Sequence, residues 1–85
     1  MNIIERINEY CLQHGVRQSG KRNQVALVLE RTQQAMDAEQ VWLQMKEDQF
    51  HISIGAVYLS LNWLVDAGFI EKKLMEDRKA VFTVV

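Results

Sequence analysis

The chain has no proline, one cysteine and four glycines in 85 residues. Without proline, every turn has to be made by glycine or by polar side chains. A lone Cys11 excludes a disulfide framework and a thiolate metal cage within one chain. Set on an apolar helix face, it is expected to be a small buried hydrophobe. The formal net charge is −1, so the total lacks the positive excess usual in a nucleic-acid binder. No apolar run approaches the ~20 residues of a membrane span. Glu5 and Glu9 interrupt the N-terminal one, so no signal peptide is expected. No membrane is therefore expected as a partner, and the cytoplasm is the expected compartment. The chain also has no Ser/His/Asp set, no paired catalytic carboxylates and no Gly-rich phosphate loop, which argues against an enzyme, a cofactor or a small-molecule substrate. His14 and His51 stand near element ends without partners at ligand spacing, so no metal site is expected.

What the chain does have is a 48% hydrophobic content, enough for one modest core and a single domain over residues 1–85. Residues 2–14 place Ile3, Ile4, Ile7, Tyr10 and Cys11 on one helical face, closed by Gly15. After the polar "VRQSGKR", a second helix from about residue 20 to 31 carries Val25, Val28 and Leu29 inward. "TQQAM" reads as a polar link. Asp37 and Gln40 form a D-x-x-Q capping box for a third helix near 38–47, with Val41, Trp42 and Met45 inward. Ser53 caps a fourth helix near 54–67, and Gly68 ends it. Its inward positions are Ile54, Val57, Leu61, Leu64 and Val65, with Tyr58 at their edge. After Gly68 the period changes to that of strands, and "FIEKKL" and "AVFTVV", joined by "MEDRK", read as an antiparallel hairpin. The expected fold is mainly α with a small β hairpin. Three to four helices plus a wing make a winged helix-turn-helix, with helices three and four as the helix-turn-helix pair.

Four stretches in this order are similar to one known family. "GVRQSGKR" resembles the G-x-[RK]-x-[TS]-x-x-R element of the ferric uptake regulator family. "DAEQVW" resembles its S-A-E-x-[LV]-[YW], "ISIGAVYLSLNWLVDAGFI" its I-S-x-A-T-V-Y-R-x-L-x-x-L-x-x-A-G-[IL]-[IV], and "KAVFTVV" the end of its wing. The ordered series, rather than any one motif, carries the resemblance. It implies the winged-helix DNA-binding domain of a metal-responsive repressor. The family's second domain, which dimerises the protein and supplies most metal ligands, has no counterpart in these residues. The histidine often found before the S-A-E element is replaced by the run Gln34, Ala35 and Met36. The family's Thr-Val-Tyr-Arg becomes Ala56-Val57-Tyr58-Leu59, so a charged side chain is exchanged for an apolar one.

The fourth helix contains no lysine and no arginine. Between residues 36 and 70 one base, Lys46, faces five acids: Asp37, Glu39, Glu47, Asp48 and Asp66. The bases lie on either side, Arg17, Lys21 and Arg22 before the second helix and Lys72, Lys73, Arg78 and Lys79 in the wing. Such flanks grip phosphates, which positions a protein on DNA without specifying sequence. The candidate DNA-binding set is therefore these seven bases with Ser19 and Ser53, and Ala56, Tyr58, Ser60 and Asn62 on the reading helix. Ala56 and Leu59 are candidates for contact with thymine methyls. Leu59 and Trp63, at i and i+4, are also the candidates for a protein interface, the alternative being that the wing or the first helix covers Trp63. Two functions follow. One is a DNA-binding transcriptional regulator without metal sensing of its own, weak on duplex DNA as a single module. The other is a protein-interaction winged helix that docks on a Fur-like protein or another regulator, or forms a homodimer.

Overall fold

The computed structural model describes residues 2–85, as four helices followed by a two-stranded sheet. They are α1 (Ile3–His14), α2 (Gly20–Thr32), α3 (Ala38–Glu47), α4 (Ile54–Asp66), β1 (Ile70–Leu74) and β2 (Ala80–Val84). Each helix starts on a side chain that accepts an otherwise unpaired amide. Asn2 accepts from Glu5, Ser19 from Arg22, Asp37 from Gln40 and Ser53 from Ala56. The Asp37–Gln40 capping box closes in both directions, at 2.8 and 2.9 Å. At the N-terminus of α1, Glu30 of α2 accepts the Ile3 amide at 2.8 Å. That sets a carboxylate at the positive end of the helix.

The helix ends divide into those that use glycine and those that do not. Gly68 takes φ +86 after α4. Its amide bonds to Val65 while that of Phe69 reaches Leu64, the paired bonds of a Schellman motif. Gln33 and Gln49 take the same left-handed turn after α2 and α3, at φ 54 and 63.

The core joins all six elements. Ile3, Ile7 and Cys11 of α1 meet Val25, Ala26, Val28 and Leu29 of α2, Val41 and Met45 of α3, and Val57, Leu61 and Leu64 of α4. Phe69, Ile70 and Phe82 close it from the hairpin. Trp42 fixes the turn between α3 and α4 by donating Nε1–H to the Ile52 carbonyl at 2.8 Å. Ile4, Tyr10, Trp42 and Val65 pack against this core while remaining partly open. Ile54 departs from the sequence expectation. As the first residue of α4 it is 40% exposed, because the buried stripe begins one turn later.

The hairpin is antiparallel, with Ile70 opposite Val84 and Lys72 opposite Phe82. The "TQQAM" segment is more than a polar link. Met36 and Phe82 exchange two backbone hydrogen bonds, of 3.1 and 2.8 Å, so the run into α3 pairs with the free side of β2. The wing is thereby attached to the helix-turn-helix through backbone as well as through Phe82. At its tip, Arg78 stands at φ 68 in the position of a three-residue loop that glycine normally fills. Left-handed geometry costs a side-chain-bearing residue about 1 kcal/mol. Arg78→Gly should therefore raise the unfolding free energy by up to about 1 kcal/mol, read as a shifted urea midpoint, while removing a cation from the tip.

Candidate nucleic-acid interface

Helix α4 turns Val57, Ser60, Leu61 and Leu64 into the protein. At ~100° per residue, Gly55, Leu59, Asn62 and Asp66 form the opposite line. All four are exposed, and Leu59 is 74% exposed. Tyr58, 52% exposed, lies on one shoulder of that line and Trp63 on the other. No lysine or arginine occurs from Glu47 to Glu71, so the exposed surface of the helix carries no positive side chain. Ser53 is exposed but its hydroxyl is engaged as the cap, accepting the Ala56 amide at 3.1 Å. Ser19 is engaged in the same way at the start of α2.

The structure places Arg22 and Ser60 differently from expectation, and places Trp63 in the covered one of its two expected positions. Arg22 is 8% exposed. Its guanidinium lies 3.7 Å from the centroid of the Trp63 ring. Nη2 donates to the Arg17 carbonyl at 3.0 Å and approaches Cys11 Sγ at 3.3 Å, while Nε has no partner. This side chain is a structural clamp rather than a phosphate grip, because its donors are turned inward. Trp63 is partly buried, not open beside Leu59. Tyr10 of α1 meets it edge-on at 5.5 Å and Phe69 stacks beside it at 6.2 Å. Ser60 is 8% exposed; it lies on the buried stripe, out of reach of a ligand on the outer line.

Of the candidate cations, Arg17, Lys21, Lys72, Lys73, Arg78 and Lys79 remain exposed. Arg17 stands in the loop whose carbonyl Arg22 holds while stacked on Trp63, and Lys21 stands on the first turn of α2. On the Tyr58 side, a shallow groove of about 360 Å³ runs between α4 and the wing, lined among others by Tyr58, Glu39, Lys72, Arg78 and Lys79. Strand alternation separates the two wing lysines. Lys72 faces this groove, whereas Lys73 lies with Val81 on the other face of the hairpin. Lys79 Nζ is 3.7 Å from Asp37 Oδ2; the Lys79 side chain is 63% exposed and that of Asp37 18%. Of the borderline metal ligands, Cys11 is buried, His14 lies against Tyr10 with ring centroids 4.2 Å apart and the rings tilted by 34°, and His51 is exposed before α4. Among the described residues no three His, Cys, Asp or Glu side chains converge on one point.

The model of the ferric uptake regulator family matches residues 13–85. A ferric uptake regulation protein of Rhizobium leguminosarum bv. viciae is 25% identical over 84 residues, covering 99% of this chain and 59% of that protein. Among solved structures, the ferric uptake regulator of Vibrio cholerae superposes with a TM-score of 0.82 at 25% identity, over 92% of this chain and 60% of that one. The Helicobacter pylori regulator, 24% identical, shares the fold with a TM-score of 0.84 over 96% of this chain and 55% of its own. The chain spans about three fifths of the length of the relatives it matches.

The Arg22 clamp has a measurable consequence. A desolvated cation–π contact contributes ~2 kcal/mol, and the bond to the Arg17 carbonyl about 1 more. Arg22→Ala should lower the unfolding free energy by about 2–3 kcal/mol and shift the tryptophan emission. Arg22→Lys should recover little, because an ammonium cannot lie flat on the indole while donating in the plane of a guanidinium. Urea unfolding followed by fluorescence measures both variants.

Proposed function

The chain belongs to the ferric uptake regulator family, and we propose from that premise that it acts as a winged-helix module that binds duplex DNA in transcription regulation. The observation that carries the reading is the arrangement around α4. A helix face without a cation has Lys72, Arg78 and Lys79 in the groove beside Tyr58, and Arg17 and Lys21 exposed around the start of α2, the helix that Arg22 ties to Trp63. An α-helix of this kind fits the major groove, and the exposed cations are the residues that meet phosphates. In this reading no metal signal is sensed within these 85 residues, and no catalytic step is involved. The cytoplasm is the proposed compartment, since the module works on DNA and its one thiol, Cys11, stays reduced and buried in the core.

A second reading makes α4 a protein contact, in a homodimer or against another member of the family. The observation that favours it is the exposed pair Tyr58 and Leu59, with Asp66 on the same outer face. Trp63 takes no part in it, being covered by Arg22 and Tyr10. Sedimentation separates the two readings. A native dimer that Leu59→Arg turns into monomers supports the protein contact, and a native monomer at high concentration supports the DNA module.

The DNA reading sets the salt dependence of binding. Each phosphate contact contributes ~0.9 to the slope of log affinity against log salt. With Arg17, Lys21, Lys72, Arg78 and Lys79 engaged and Arg22 withheld, the slope should be about −4 to −5. Lys72→Ala should flatten it by about 1, while Lys73→Ala, on the far face of the hairpin, should leave it unchanged. Fluorescence anisotropy of a labelled duplex across a salt series measures this. A duplex that stays unbound at low salt would overturn the reading.

A further inference from the structure

Gly55 is placed where the fold gives it no reason to be glycine. It lies in the first turn of α4, its φ is not in the left-handed region, and a Cβ built on it would meet only Ser53 Oγ, at 4.0 Å. Glycine within a helix is less favourable than alanine, and here nothing inside the protein requires it. Its missing side chain leaves the backbone bare on the outer line of α4, one turn before Leu59. A bare backbone at that point lets a surface outside the protein come close to the helix.

The outer line itself narrows what that is. Leu59 is 74% exposed beside the half-exposed Tyr58, and no cation stands within the helix. The face cannot make the two-pronged arginine or lysine contact that reads guanine, and Asn62 is its single amide. The chemical feature of the major groove that an aliphatic side chain recognises is the C5-methyl group of thymine. Resting on the DNA-binding reading above, we propose that Leu59 is a specificity-determining residue that reads thymine methyl groups, with Gly55 allowing the helix to settle deep enough to reach them.

The test removes the methyl group and leaves the hydrogen-bonding edge intact. Two alternating A·T duplexes of about two helical turns are compared, one with thymine and one with deoxyuridine throughout, for the native chain and for Leu59→Ala. Burying one methyl corresponds to about a fourfold change in affinity. The native chain should bind the uracil duplex at least about fourfold more weakly, and Leu59→Ala should bind both duplexes nearly alike. Gly55→Ala should weaken binding to the thymine duplex while the melting temperature stays level or rises, a combination that a purely structural glycine would not give. A native chain that binds both duplexes equally overturns the methyl reading while leaving the DNA module intact. A uracil penalty that survives in Leu59→Ala overturns the assignment to Leu59. Failure to bind either duplex at low salt overturns the DNA module itself, and the methyl reading with it.

Discussion

The arrangement of the surface around α4 depends on one buried guanidinium. Arg22 has no carboxylate partner, although burying an uncompensated charge is costly. Its compensation is distributed over the π face of Trp63 at 3.7 Å, the Arg17 carbonyl at 3.0 Å and the Cys11 sulfur at 3.3 Å. Only a planar, delocalised cation can stack on an indole and donate sideways to a carbonyl at once. Four parts of the chain meet there: α1 through Cys11, the loop before α2 through Arg17, α2 itself, and α4 through Trp63. Trp63 passes the contact on to Tyr10 and to Phe69, where the wing begins. The distance between the basic loop and the outer line of α4 is therefore set inside the protein. The unpartnered Nε shows that the clamp is not fully satisfied, as polar groups that hold a working surface often are not.

The helices were legible because their ends are marked chemically. Ser19, the Asp37–Gln40 pair, Ser53, Gly15 and Gly68 each stand at a position that only a few residue types fill well, and the element bounds fall within a residue or two of them. Gln33, Gln49 and Arg78 carry no such mark, since glycine is the usual occupant of left-handed positions. The Met36 pairing was invisible for a different reason. Two backbone bonds have no side-chain period, and a polar run around one methionine reads as a link.

The site was less legible than the fold, and Arg22 shows why. Charge alone places an arginine beside Ser19 and Lys21 on the surface. The contrary signal was present in spacing: Arg22 stands three, four and seven residues before Val25, Ala26 and Leu29, all buried on one helix stripe. Periodicity outweighs residue type at such a position when an aromatic face is available to receive the cation, and that face, Trp63, is distant in sequence. The same interaction explains Trp63. It lies only ~40° around α4 from Leu59, yet it is covered and Leu59 is not, because Arg22 and Tyr10 reach one shoulder of the helix and no described residue covers Leu59 on its outer line.

A net charge of −1 is compatible with the proposed DNA module because grip and reading use different residues. Long-range attraction follows the local field rather than the total, and in the wing-side groove Lys72, Arg78 and Lys79 outnumber Asp37 and Glu39. Non-specific affinity comes from the phosphate contacts alone. A positively charged residue on the reading helix would strengthen binding to every sequence through its attraction to the backbone, as well as reading bases. An aliphatic residue adds nothing to the non-specific term. Specificity is a difference of affinities, so Leu59 contributes only where it finds a complementary surface. The phosphate term is common to all duplexes and cancels in that difference, so a small apolar contact carries discrimination that the cations do not.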